Sequence, residues 1–170
     1  MGVAPMAVPK DGPLGGVTGS HNAVQVLTDQ AGPIFLRGPG AGRSETASAV
    51  AGDLIDLALG QTRPAFGLPA SDLTDSSSGA ATGDGVEAQM VILQVLDQPG
   101  VMAALTQTLA AHEVSVDQLL QPGGHEGQAD LALITHEASP ERLASAWQAV
   151  ASQDYVVGAV EAYRIERFDA

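Results

Sequence analysis

The chain has 170 residues, with 20 acidic and 7 basic side chains and no cysteine, room for one compact domain or two small ones. Its apolar content of 45% with only six aromatics implies a core of Ala, Val, Leu and Ile. Without Cys there is no disulfide framework, thiolate zinc site, iron-sulfur cluster or cysteine nucleophile, which fits a reducing compartment. A net charge of −13 speaks against nucleic acid, whose phosphates must be neutralised by Lys and Arg.

No apolar run approaches the ~20 residues of a membrane-spanning helix, and the N-terminus lacks a basic stretch followed by an apolar one. Met6 stands where myristoylation wants Ser or Thr. A cytoplasmic protein is expected, with no membrane partner. The acidity is uneven: residues 86–170 hold 12 acids and 3 bases, a net −9.

Residues 22–28 and 34–37 read as two strands around the turn Asp29-Gln30-Ala31-Gly32-Pro33. Then come the loop Gly38-Pro39-Gly40-Ala41-Gly42 and a helix over 46–59, which Gly60 ends. A lone hairpin and one helix cannot bury both their faces. This piece therefore docks onto the rest of the chain or is the end of a larger domain.

Residues 61–85 are dense in Pro, Gly, Ser, Ala and Asp and read as a linker, with Phe66 and Leu68 as possible anchors. A strand over 86–96 follows. Asp97 is placed to cap a helix with Pro99 near its first turn; its stripe is Val101, Ala104, Leu105, Thr108, Leu109 and His112. Val114 and Val116 lead into a second strand through Leu119 and Leu120. A Gly-rich turn, 122–127, joins this antiparallel to a third over 129–136, where Leu131, Leu133 and Thr135 share a face. Ser139-Pro140-Glu141 is a strong helix start, with Leu143, Ala146, Trp147, Val150 and Ala151 as the buried stripe. A fourth strand covers 155–166. The order strand, helix, strand, strand, helix, strand is the split β-α-β arrangement, an α+β ferredoxin-like βαββαβ fold with two helices on one face. A domain of about 80 residues is marginal alone, so pairing with a second copy is expected.

Few motifs carry chemistry. The spacing of Gly38, Gly40 and Gly42 fits neither the dinucleotide fingerprint nor a P-loop, leaving a tight structural turn or a ligand-contacting loop. His21, His112, His125 and His136 lack mutual metal spacing, so no metal site is expected. Asp53 and Asp56 share a helix face, the usual pattern of a solvated surface. No G-x-S-x-G elbow is present. The turn Asp97-Gln98-Pro99-Gly100-Val101 suits either plain helix entry or the carboxylate of a small amino acid at a helix N-terminus.

Val8-Pro9-Lys10-Asp11-x-Pro13-Leu14, Asn22-Ala23-Val24 and Gly38-Pro39-Gly40-Ala41-Gly42-x-x-x-Thr46-Ala47-Ser48-Ala49-Val50-x-x-Asp53-Leu54 together resemble the C-terminal part of the catalytic domain of homoserine dehydrogenase. Asp97-Gln98-Pro99-Gly100-Val101 through Thr135-His136-Glu137-Ala138 resembles the ACT domain that follows it in many bacterial members. The resemblance implies three parts: 1–60 from the catalytic domain, 61–85 as linker, 86–170 as a regulatory ACT domain. It implies interconversion of homoserine and aspartate 4-semialdehyde with NAD or NADP, in threonine and methionine synthesis. Gly40, Ala41 and Gly42 are then the cofactor-contacting residues, Gly42 foremost. The chain departs from the family at Glu45, usually Pro, which adds a carboxylate beside that loop.

In the family the nucleotide-binding half, the catalytic lysine and the substrate-binding acids lie upstream. No catalytic residue is therefore assigned here, and no cofactor is expected to bind this chain alone. The expectation is a truncated product or partial reading frame, inactive by itself as a dehydrogenase. The ACT resemblance implies Asp97, Gly100 and Val101, with Gln118 and Gln121 across a subunit pair, as contacts for an amino-acid effector such as threonine. It further implies a homo-oligomer through the ACT domain and the hairpin sheet. The competing reading is a stand-alone ACT-type module for amino-acid sensing or dimerisation.

Overall fold

A computed structural model describes residues 3–61, 64, 67, 69–72 and 85–166; the linker anchors Phe66 and Leu68 lie outside the described residues. The chain divides into two compact units, each described by itself: residues 9–80 with 168–170, and residues 1–8 with 81–167.

In the first unit, β2 (His21–Thr28) and β3 (Gly32–Pro39) form an antiparallel hairpin in continuous register from His21 against Pro39 to Thr28 against Gly32. The turn is shorter than the Gly32-Pro33 signal suggested, because both residues pair within β3. Thr28 closes the loop, its hydroxyl donating to the Gly32 carbonyl at 2.8 Å. Helix α1 (Arg43–Ala58) begins three residues before the expected start, with Gly42 at its N-cap. It ends as the sequence indicates: Gly60 takes φ +69°, its amide donates to the Leu57 carbonyl, and the Gln61 amide donates to that of Asp56, a Schellman motif. Among the described residues of 9–61 none is buried. Apolar side chains stand in solvent on both elements, Leu36 and Leu54 each 62% exposed.

The second unit follows the expected order: β4 (Gln89–Leu96), α2 (Val101–Ala111), β5 (Val116–Gly123), β6 (Gln128–Thr135), α3 (Pro140–Ala151) and β7 (Val156–Ile165). Strand order is β7-β4-β6-β5, the ferredoxin-like sheet, with one extra short strand, β1 (Met6–Ala7), beside β7. Period-2 alternation puts Val91, Leu93 and Val95 of β4 and Ala129, Leu131, Leu133 and Thr135 of β6 on one buried face. Over them lie Val101, Leu105 and Leu109 of α2 and Leu143, Ala146, Trp147 and Val150 of α3. The expected α3 stripe stops there, since Ala151 is exposed at the helix end. Ser139 caps α3 as expected, its Oγ accepting from the Arg142 amide at 3.4 Å.

Two features depart from expectation. Asp97 does not cap α2: the helix starts at Val101 behind Gly100, whose φ of +96° turns the chain in, and no side chain caps it. Asp97 is held elsewhere, its amide donating to the Gly127 carbonyl at 2.8 Å. The sheet also gains β1 (Met6–Ala7), which runs parallel to the end of β7, Met6 against Arg164 and Ala7 against Ile165.

Candidate functional site

The strand ends and turns at one end of the ferredoxin-like unit build a shallow depression of about 150 Å³ between the β4–α2 turn and the β5–β6 connection. Asp97 and Gln121 line it together, with Gly124, His125, Glu126 and Gly127. The connection is tight: a Cβ on Gly124 would overlap the Gln128 backbone, so only glycine lets the strands approach there. Gly127 and, unusually for a residue with a side chain, Glu126 adopt left-handed backbone, φ +80° and +54°. At Glu126 this costs about a kcal/mol or more, whereas glycine adopts it freely, and such strain in non-glycine residues clusters at ligand-contacting loops. The sequence reading did not single out His125 and Glu126 as liners of a shared site; the glycines around them were the available signal.

The other three expected effector contacts lie outside this depression. Gly100 is exposed at the helix entry, and the Val101 side chain is buried in the core while its amide donates to the Gln98 carbonyl at 3.3 Å. Gln118 is exposed on β5, opposite Ile134. Among the described residues strand β5 pairs only with β6, which leaves its outer edge open there, and Leu120 on it is 63% exposed.

At the other end of the sheet a polar network ties the elements together. The Trp147 indole donates to the Gln89 side-chain oxygen, and the Gln89 side-chain amide donates to Glu87, both at 2.7 Å. The Gln89 backbone amide donates to the hydroxyl of buried Thr135 at 2.9 Å. Arg164 lies 3.9 Å from Glu87 and 3.0 Å from Glu166. A wider hollow of about 470 Å³ nearby is lined by Ala88, Asp117, Thr135, His136 and Glu137, with His136 Nε2 4.0 Å from Asp117. On β7 the Tyr163 phenol donates to Glu161 at 2.7 Å, and that bond, with the carboxylate's charge, holds its pKa above the ordinary value.

In the hairpin unit a depression of about 320 Å³ forms where the strands end, lined by Asn22, Val24, Leu36, Arg37 and Gly40. The Gly40 amide donates to the Ser20 carbonyl at 2.7 Å, and a Cβ there would run into the Asn22 side chain. Gly42 has φ +153° and ψ +153°, a region essentially reserved for glycine. Its carbonyl accepts from both the amide (3.1 Å) and the hydroxyl (2.8 Å) of Thr46. The Glu45 carboxylate folds over Gly42 and fills the space a Cβ would need. Of the three expected cofactor contacts, Gly40 lines the depression; Ala41 and Gly42 carry the chain from it into α1. Among the described residues Arg37 makes no ion pair. Among the described residues no group of three or more His, Asp or Glu can hold a metal, and no helix is long and apolar enough to cross a membrane.

The second unit has the ferredoxin-like sheet order, and residues 89–152 match the ACT domain family, which makes it an ACT-type module. Residues 1–55 match the homoserine dehydrogenase family, and the chain corresponds to the C-terminal part of a homoserine dehydrogenase with its ACT domain. Homoserine dehydrogenases of Mycobacterium leprae and Neisseria gonorrhoeae are 33% and 30% identical to it, each over 96% of the chain. The chain spans 38% and 39% of their lengths. A solved homoserine dehydrogenase from Thiobacillus denitrificans superposes with a TM-score of 0.71 at 31% identity, over 95% of this chain and 38% of that one.

Proposed function

We propose that this chain is the C-terminal working part of an NAD(P)-dependent homoserine dehydrogenase that interconverts L-homoserine and L-aspartate 4-semialdehyde for threonine and methionine synthesis in the cytoplasm. The observation that carries the reading is the run of similarity through both parts, the glycine loop and the ACT-type module, over nearly the whole chain. Residues 1–60 contribute the end of the catalytic domain, 61–85 link, and 86–170 regulate.

In this reading no residue of the chain performs the hydride transfer or its proton transfer. Gly40, Ala41 and Gly42 bring bare backbone close to the nicotinamide cofactor, Gly40 packing against the Asn22 side chain and Gly42 taking a turn essentially reserved for glycine. Arg37 beside them supplies positive charge for an anionic group. The Glu45 carboxylate over Gly42 is the feature an anionic cofactor group must displace or avoid. The nucleotide-binding half and the catalytic lysine belong to the portion of relatives that this chain does not span.

The ACT-type module binds a small amino-acid effector such as threonine. Asp97 and Gln121 hold its ammonium and polar groups in the depression, with the Gly100–Val101 helix entry near its carboxylate and Gln118 reaching across a homo-oligomer formed by the module and the hairpin sheet. The open edge of β5, with exposed Leu120, supports pairing between copies.

The deciding experiment is an assay of homoserine-dependent NADP reduction, on the purified chain and on the chain mixed with the upstream portion of a relative. The expected result is no turnover alone and turnover on mixing. Turnover by the chain alone overturns the division of labour; failure of every upstream portion overturns the enzyme reading and leaves an amino-acid-binding or dimerisation module.

A further inference from the structure

The Val8-Pro9-Lys10-Asp11-x-Pro13-Leu14 stretch has no role in the site chemistry above, yet it lies between two anchored points. On one side β1 is fixed to the ACT-type sheet by parallel pairing with β7 and by the Glu166 amide, which donates to the Ala7 carbonyl at 2.9 Å. On the other, Ser20 holds the Gly40 amide at 2.7 Å.

Between these points the chain is a series of turns. The Gly12 amide donates to Pro9 and that of Val17 to Leu14, both at 3.0 Å, and the His21 amide donates to Thr18 at 3.4 Å. Gly15 packs so closely on the Pro9 and Lys10 backbone that a Cβ would overlap it, and Pro9 and Pro13 fix their own φ. Such a stretch transmits displacement better than a loose linker, which would absorb it.

Strand β7 completes the connection. It starts beside the Asp97 depression, where the Leu96 amide donates to the Tyr155 carbonyl at 2.9 Å, and it ends at β1. Arg164, opposite Met6, lies near Glu87 and Glu166, which joins the end of β7 to the Gln89–Trp147 network. A two-residue strand contributes few backbone bonds, so its pairing is among the weakest cooperative units of the sheet and is open to bias by a ligand.

We propose that β1 is a latch: paired with β7 it restrains residues 8–20 and, through Ser20, the backbone at Gly40, so the regulatory module sets the order of the glycine loop through this strand. Its regulatory meaning rests on the reading of residues 40–42 as the cofactor loop.

The test is amide hydrogen exchange on the full chain without any cofactor, comparing the unchanged protein with Glu166→Pro, which deletes the donor to Ala7, and with Glu166→Gln, which keeps it. The expected result is exchange at Gly40 faster by roughly five-fold or more in Glu166→Pro, about the weight of one net backbone hydrogen bond. Glu166→Gln should stay near the unchanged chain, and the core amides of Leu105 and Leu109 should not move. If Glu166→Pro also loosens those core amides, deletion of residues 1–8 replaces it, removing the strand without touching β7. Exchange that rises only at residues 6–8 and 163–166, with Gly40 unchanged, overturns the latch. Because no cofactor enters, a failed latch leaves the dehydrogenase reading standing, and a failed dehydrogenase reading leaves the exchange result intact.

Discussion

The indole of Trp147, on α3, donates to the side-chain oxygen of Gln89 at the first position of β4, 2.7 Å away. One amide side chain thereby joins the last helix to the first strand of the module, and its own NH2 group continues the bond to Glu87.

Replacing Gln89 by Leu should strand the indole N–H in a site where Trp147 is only 7% exposed. An unsatisfied buried donor costs about 1–3 kcal/mol. In a domain of this size each kcal/mol lowers the melting temperature by roughly 4–8 °C. Trp147 is the only tryptophan, so its fluorescence on heating or in urea reads this unit alone.

The two units should answer a large-to-small substitution very differently. Leu133→Ala in the fully buried centre of β6 should cost about 2–5 kcal/mol, enough to unfold much of a marginal module. Leu36→Ala, on a side chain 62% exposed, should change stability by less than about 0.5 kcal/mol. Circular dichroism melts of the two variants check this.

An amino acid that occupies the Asp97 depression should raise the melting temperature by several degrees at 100 times its dissociation constant, since about 2.7 kcal/mol of binding free energy adds to the folded state. Threonine, isoleucine, methionine and homoserine are the compounds to scan. Asp97→Asn and Gln121→Ala should each erase the shift while leaving the ligand-free melt nearly unchanged. A flat scan in the unchanged protein removes sensing from its functions.

Tyr163 should titrate above an ordinary phenol, first because it donates to Glu161 and then because of that carboxylate's charge. Ionising the phenol ends the bond, so its small contribution is present below the unfolded tyrosine pKa and fades as pH rises through the folded value. Ultraviolet absorbance should show a high-pH component that moves down in Glu161→Gln and disappears in Tyr163→Phe.

The module was readable because its signals are local. Ala129, Leu131, Leu133 and Thr135 alternate as a strand must, and Ser139-Pro140 announces α3 with a side-chain cap and a fixed φ. Asp97 misled for a physical reason: its residue type suits an N-cap, but the Gly127 carbonyl took its backbone and Gly100 turned the chain. Strand β1 was invisible because two residues carry no periodicity and its partner stands at the far end of the chain. For the site, the resemblance implies Gln121 reaching Asp97 across a subunit pair, whereas within a single chain the two already line one depression, a closeness that only the strand pairing creates. The left-handed Glu126 beside them leaves no mark in composition. The glycine loop was legible because Gly42 takes backbone angles essentially reserved for glycine and Gly40 packs against the Asn22 side chain.

The open edge of β5 also bears on how the protein behaves at high concentration. Its register with β6 breaks between Val116 and Gln118 and again between Leu120 and Gly123, so the regular edge spans only a few residues. Stacking into cross-β fibrils draws on flat segments of about six residues. Too short for that, and ended by Pro122 and Gly123, this edge admits one partner strand but offers no template for indefinite growth.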